Sequence, residues 1–83
     1  MDIAVAFGRV LRRLRIEQNI TQEGLAGNAG LQRKYISLLE KGQYQPKLTT
    51  VFSLAVALNM KPSDFIALVD EESKKTIRKE IKV

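Results

Sequence analysis

Between residues 32 and 41 the side chains divide by angle. At 100° per residue, Gln32, Ile36, Leu39 and Glu40 point one way. Lys34, Ser37, Leu38 and Lys41 point the other, with Arg33 and Tyr35 on the flanks. The second face combines cations, one hydroxyl and one uncovered leucine. That set suits the edges of base pairs in a duplex groove. Arg and Lys donate to guanine O6 and N7, and an apolar group meets the thymine methyl. A plain solvated face would account for Lys34 and Lys41 equally well, but it leaves Leu38 outside without a reason.

Other chemistries lack their residues. Cysteine and histidine are absent, which removes disulfides, zinc knuckles, a Cys nucleophile and a Ser-His-Asp triad. No paired acids stand at catalytic spacing, no glycine loop cradles a phosphate, and Asp70-Glu71-Glu72 is a plain charge run. The expectation is a protein that is not an enzyme, with no metal and no cofactor.

The face at 32–41 needs elements to hold it. Phe7, Val10, Leu11, Leu14 and Gln18 share one side at helical spacing, which predicts a helix from about Ile3 to Gln18, closed by Asn19. Thr21 is a good N-cap, and Ile20 with Leu25 fits a hydrophobic staple, so a short helix is expected over Gln22–Ala29. Gly24 and Gly27 weaken it by about 1 kcal/mol each relative to alanine. Gly30 supplies the turn, and the next helix runs Gln32 to Lys41, stopped by Gly42. Two short helices joined by a tight glycine turn make a helix-turn-helix unit. Residues 43–47 read as a loop. Thr49 is expected to cap a fourth helix carrying Val51, Leu54, Ala55 and Leu58, and Pro62 to open a fifth containing Phe65-Ile66-Ala67-Leu68-Val69. Ile77 and Ile81 share a stripe that either extends the fifth helix or frays.

The 83 residues allow one domain, and a core this small gains from a partner or a second copy. The net charge of +5 is uneven. Residues 1–47 carry +4, residues 48–72 carry −3, and residues 73–83 carry +4. A basic half beside an acidic segment suggests one face for a polyanion and another for something else. Charge alone does not separate nucleic acid from anionic lipid. The first residues are not a signal peptide, and no apolar run would span a bilayer, so a cytoplasmic location without membrane contact is expected.

The string Thr21-Gln22-Glu23-Gly24-Leu25-Ala26, then Ala29-Gly30-Leu31, Tyr35-Ile36-Ser37 and Leu39-Glu40-Lys41-Gly42 resembles the phage-repressor type of helix-turn-helix, the lambda repressor/Cro-like (Xre) domains. Pro46-Lys47-Leu48, Leu54-Ala55, Leu58 and Pro62-Ser63-Asp64-Phe65 are similar to the family's later helices. The match covers about residues 7 to 69. Gly24, Gly27 and Gln32 depart from it, the last as a poorer N-cap than serine or threonine. The resemblance implies an all-α, compact five-helix fold. Residues 1–70 would form the DNA-binding domain, with a charged tail over 71–83.

It also implies roles. Gln32, Arg33, Lys34, Ser37 and Leu38 match base-reading positions, with phosphate contact the alternative for the two cations. Gln22 would hold a phosphate at a helix start. Tyr35 would sit at the groove wall, and Lys41, Tyr44, Gln45 and Lys47 would clamp the backbone, against a reading of that loop as plain turn residues. The family pattern pairs Arg15 with Glu40 in a partly buried salt bridge. Arg9, Arg12 and Arg13 read as a solvated face, though Arg13 is within reach of DNA. Val5 and Ile16 stay exposed without explanation. Lys74, Lys75, Arg78, Lys79 and Lys82 are read as aids to solubility.

Five consecutive apolar residues in the fifth helix cannot all face one small core. Phe65, Ile66 and Val69 are therefore expected at a twofold dimer interface. Two copies would set recognition helices about 34 Å apart on a palindromic operator. The expected function is a sequence-specific transcriptional regulator that binds double-stranded DNA, a homodimeric repressor or controller, with polymerase or a toxin as a protein partner. The alternatives are an antitoxin or a helical protein-interaction module; a basic membrane-surface helix is disfavoured because the first helix needs its apolar face for the core.

Overall fold

The computed structural model describes the backbone of residues 2–82 and the side chains of residues 2–75. Five helices follow one another: α1 (Ile3–Glu17), α2 (Gln22–Ala29), α3 (Arg33–Glu40), α4 (Leu48–Ala57) and α5 (Pro62–Lys82). There is no strand among the described residues, so the all-α expectation is met.

Local chemistry sets most boundaries. Asp2 accepts from the Ala4 N–H at 2.8 Å and opens α1. Thr21 accepts from the Gly24 N–H at 2.9 Å and opens α2. Gly30, at φ 70°, closes α2, a conformation that costs a side chain-bearing residue energy. Asn19 and Asn59 take the same left-handed conformation after α1 and α4, at φ 57° and 58°. In each case the next N–H reaches back to close the helix end, Ile20 to Arg15 and Met60 to Ala55.

Three expectations change here. Gln32 is the N-cap of α3 with extended backbone and makes no capping side-chain bond, so it leaves the helical phase and lies exposed instead of facing inward. Lys41 is the C-cap, which shortens α3 by one residue at each end. Thr49 is not a cap. α4 begins at Leu48 behind Lys47, whose carbonyl takes the Val51 N–H at 3.0 Å. The extended residue after Pro46 turns the chain two positions earlier than the threonine suggests.

The core gathers Phe7, Val10 and Leu11 of α1, Leu25 of α2, Ile36 and Leu39 of α3, Leu54 of α4, Leu58 just beyond it, and Phe65 and Val69 of α5. Phe7 and Phe65 stack with centroids 5.1 Å apart. α3 is pressed onto α1 at Gly8, where a Cβ would collide with the carbonyl oxygens of Leu39 and Glu40. Gln18 Nε2 donates to the Leu58 carbonyl at 2.9 Å and ties the end of α1 to the end of α4.

Phe65 and Val69 are 0% and 5% exposed, so they cannot face a second chain. They are spent on α1 and the rest of the core, and of the expected interface trio Ile66 alone is open. Val5 is also not free. It is half-buried and lies against Gly42, while Ile16 is exposed as expected. α5 continues through residue 70 without a break. The side chains of Ile77, Arg78, Lys79, Ile81 and Lys82 lie outside the described residues.

Candidate nucleic-acid interface

α3 offers its outer side because Ile36 and Leu39 anchor the inner one with no exposure at all. Arg33 and Lys34 stand exposed in its first turn. Ser37 and Leu38 follow, both half-buried, so Leu38 is less open than the angular reading predicts. Lys41, Gln45 and Lys47 are exposed in the chain that leads to α4. Tyr35 is half-buried, and its ring lies 6.4 Å from that of exposed Tyr44, tilted by 46°. The two tyrosines link the helix to the loop after it. The sequence-predicted residues thus collect on α3 and the segment that follows.

Behind them sits a polar network. Arg15 Nε donates to Glu40 Oε2 at 2.6 Å and Nη2 donates to Oε1 at 3.1 Å. The two side chains are 11% and 3% exposed, which meets the expectation of a partly buried bridge. Arg15 Nη1 also donates to the Ile20 carbonyl at 2.9 Å. Its hydrogen bonds to Glu40 outweigh the opposing effect of burial and raise the guanidinium above its ordinary pKa, so it stays charged. Gln22 joins from α2, where its Nε2 donates to Glu40 Oε1 at 3.0 Å. Arg33 Nη1 reaches Gln22 Oε1 at 3.5 Å. The amide nitrogen that the sequence reading aims at a phosphate is therefore engaged by Glu40.

Charge separates this side from the rest. Among the described residues, Arg33, Lys34, Lys41 and Lys47 form no ion pair, whereas Glu72 lies 3.6 Å from Arg9 and 3.4 Å from Arg13. Arg13 is thereby drawn toward α5. Glu72 offsets two arginines of α1, whereas the cations of α3 and its loop, like Arg12 on α1, have no such partner among the described residues. Glu72, which reads in the sequence as part of the plain charge run Asp70-Glu71-Glu72, has partners some sixty positions away.

A second group went unnoticed. Leu48, Phe52 and Val56 of α4 are large, apolar and exposed. Their spacing at i, i+4, i+8 is a helical signal, but it lies beside the stronger Val51, Leu54, Ala55, Leu58 face that fills the core. Among the described residues no group of three or more Asp and Glu could hold a metal ion, and no single helix is long and apolar enough to cross a membrane.

Comparison with known proteins points the same way. The family model described as Helix-turn-helix (HTH_3) matches residues 11–65. An uncharacterized HTH-type transcriptional regulator of Sinorhizobium fredii is 34% identical over 71 residues, covering 86% of this chain and 92% of that protein. The control protein C.BamHI of Bacillus amyloliquefaciens is 33% identical over 66 residues, 78% of this chain and 82% of that one. Among solved structures, the restriction-modification controller protein C.AhdI from Aeromonas hydrophila superposes with a TM-score of 0.72 at 39% identity. The match covers 75% of this chain and 94% of C.AhdI.

Proposed function

The chain belongs to the Helix-turn-helix (HTH_3) family, whose members here include transcriptional regulators and controller proteins, and on that premise we propose that it is a sequence-specific regulator binding double-stranded DNA as a homodimer. α3 enters the major groove. Arg33 and Lys34 reach guanine edges, and Ser37 and Leu38 meet neighbouring base atoms. Lys41, Tyr44, Gln45 and Lys47 hold the phosphate backbone, with Tyr35 at the groove wall and the backbone N–H groups at the start of α2 beside them. Residues 1–70 carry this work; in the tail from 71, Glu72 braces Arg9 and Arg13, and the cations Lys74, Lys75, Arg78, Lys79 and Lys82 add solubility. The protein works in the cytoplasm without catalysis or a cofactor. Regulation comes from occupancy of a palindromic operator, which blocks polymerase or touches it.

The observation that carries this reading is the cluster of four cations without an ion pair, Arg33, Lys34, Lys41 and Lys47, on α3 and the loop behind it, in a molecule where Glu72 meets Arg9 and Arg13 of α1. A helical protein-interaction module has no use for that arrangement. Selection of bound sites from random duplex DNA, followed by gel shifts across a salt series, tests it. An enriched two-half-site sequence whose affinity falls steeply with salt is expected. Recovery of no sequence, with salt-independent binding or none, would remove the reading.

A further inference from the structure

Past the aromatic core, α5 lays one carboxylate against α1. Val69 is buried, and so is Ser73 one turn later, where its hydroxyl donates to the Asp70 carbonyl at 2.8 Å. Between these two anchors the Glu72 side chain is only 13% exposed. Its oxygens take one arginine each. Arg9 lies 3.6 Å from Oε2, and Arg13 Nη1 donates to Oε1 at 3.4 Å. The neighbouring carboxylates do not share the task. Asp70 pairs with Lys74 of its own helix at 3.2 Å, and Glu71 is exposed, without an ion pair among the described residues. An ordinary surface pair must order two free side chains. Here the acid is already held in place by the packing on either side of it.

The arginines keep much of their surface, with the side chains of Arg9 and Arg13 59% and 41% exposed. With Arg12 they make a row of three cations on α1. Counted at about 100° per residue, Arg9 and Arg13 stand roughly 100° and 140° around α1 from Gly8, the position on which α3 presses. They therefore look away from the side that carries α3. One helical turn separates them, about 6 Å of rise, and a DNA strand carries a charge about every 3.4 Å of its axis, so the pair could span two phosphates. A duplex lying along this row would leave the outer side of α3 out of the groove. Phosphate contacts alone would hold it, and these carry no sequence information.

We infer that Glu72 determines specificity by exclusion: it occupies Arg9 and Arg13 and so denies duplex DNA a second cationic face that reads no bases. The inference rests on the regulator reading above and assigns that reading a residue outside the DNA contact. Of the two basic faces, the one on α3 and its loop has no carboxylate in it, and the one on α1 has Glu72. The field that draws a polyanion is thereby concentrated where bases are read. Discrimination is the ratio of operator binding to random binding. Closing a competing mode raises that ratio without any new contact to the operator.

Gel shifts of the full chain on the selected operator and on random duplex test this. Glu72→Gln keeps the side chain's shape and removes its charge. Random-duplex binding should tighten several-fold while operator binding is unchanged, so the ratio falls. The gain should be clearest in a chain carrying Arg33→Gln and Lys34→Gln, which weakens the α3 face. There Glu72→Gln should strengthen random-duplex binding roughly 10-fold at about 50 mM salt and steepen the dependence of log affinity on log salt by about 2, one for each arginine released. Glu71→Gln changes the net charge equally and should do neither. Adding Arg9→Gln and Arg13→Gln should abolish the gain. In the otherwise wild-type chain those two arginine substitutions should leave random-duplex binding within about 2-fold, because the arginines are not on the DNA. A loss as large as that of Lys47→Ala would overturn the inference however the Glu72 variant folds. No gain from Glu72→Gln, an equal gain from Glu71→Gln, or a gain that survives loss of Arg9 and Arg13 would each overturn it too. A chain that selects no operator yet shows the full gain would uphold the masking by Glu72 and remove the regulator reading instead.

Discussion

Gln22 donates its amide N–H to Glu40 across the junction of α2 and α3, at 3.0 Å. A carboxylate only accepts, so the amide must turn its nitrogen toward Glu40 and its carbonyl oxygen away. Arg33 only donates, and it approaches that oxygen at 3.5 Å. Both neighbours demand the same orientation. Glu40 is itself pinned by Arg15, so the position of an arginine on the outer face traces back to a bridge nearly out of solvent.

Replacing Gln22 by leucine leaves Arg33 without its acceptor. We expect a loss on the preferred operator of about 1 kcal/mol, the worth of one hydrogen bond, and a smaller loss on random duplex. Gel shifts on the two DNAs measure it. Equal losses would instead make Gln22 a backbone contact.

Arg33→Ala should cost about 1 to 3 kcal/mol on the operator and relax preference at the base pair it reads. Lys47→Ala should weaken all sequences alike and reduce the slope of log affinity against log salt by about 1. Binding measured on operator and random duplex over a salt series separates the two roles. Uniform loss for Arg33→Ala takes it out of the base-reading set.

Glu40→Ala strands a guanidinium that is 11% exposed. The expected destabilisation is on the order of 3 kcal/mol, read by urea denaturation. A loss below about 1 kcal/mol, the range of exposed pairs, would show that the bridge is not structural.

Two glycines should respond with opposite signs. Gly8→Ala drives a methyl into the Leu39 and Glu40 carbonyls. Overpacking of that kind costs about 1 to 3 kcal/mol, and it should also shift α3 and weaken DNA binding. Gly27 has nothing within 4 Å of where its Cβ would lie, so Gly27→Ala should add up to about 1 kcal/mol through helix propensity. Thermal unfolding of the two variants checks both signs.

Features carried by neighbouring residues could be read directly. Thr21 caps α2, Gly30 and Asn19 end helices, Pro62 opens α5, and the basic side of α3 follows from its 3.6-residue period. Each depends on contacts within about four positions, which the order of residues alone specifies. The pairing of Arg15 with Glu40 spans 25 positions and was anticipated through the family pattern, not from local spacing.

Composition could not say which apolar residue is covered. Phe65 and Phe52 are alike in type and sit on adjacent helices, yet Phe65 stacks on Phe7 and Phe52 lies open. Glu72 meets Arg9 and Arg13, and Gly8 receives α3, only because α1 serves as a floor for both α3 and α5. Burial is a property of two faces meeting. Packing among helices far apart along the chain selects those faces, and no local period contains that information.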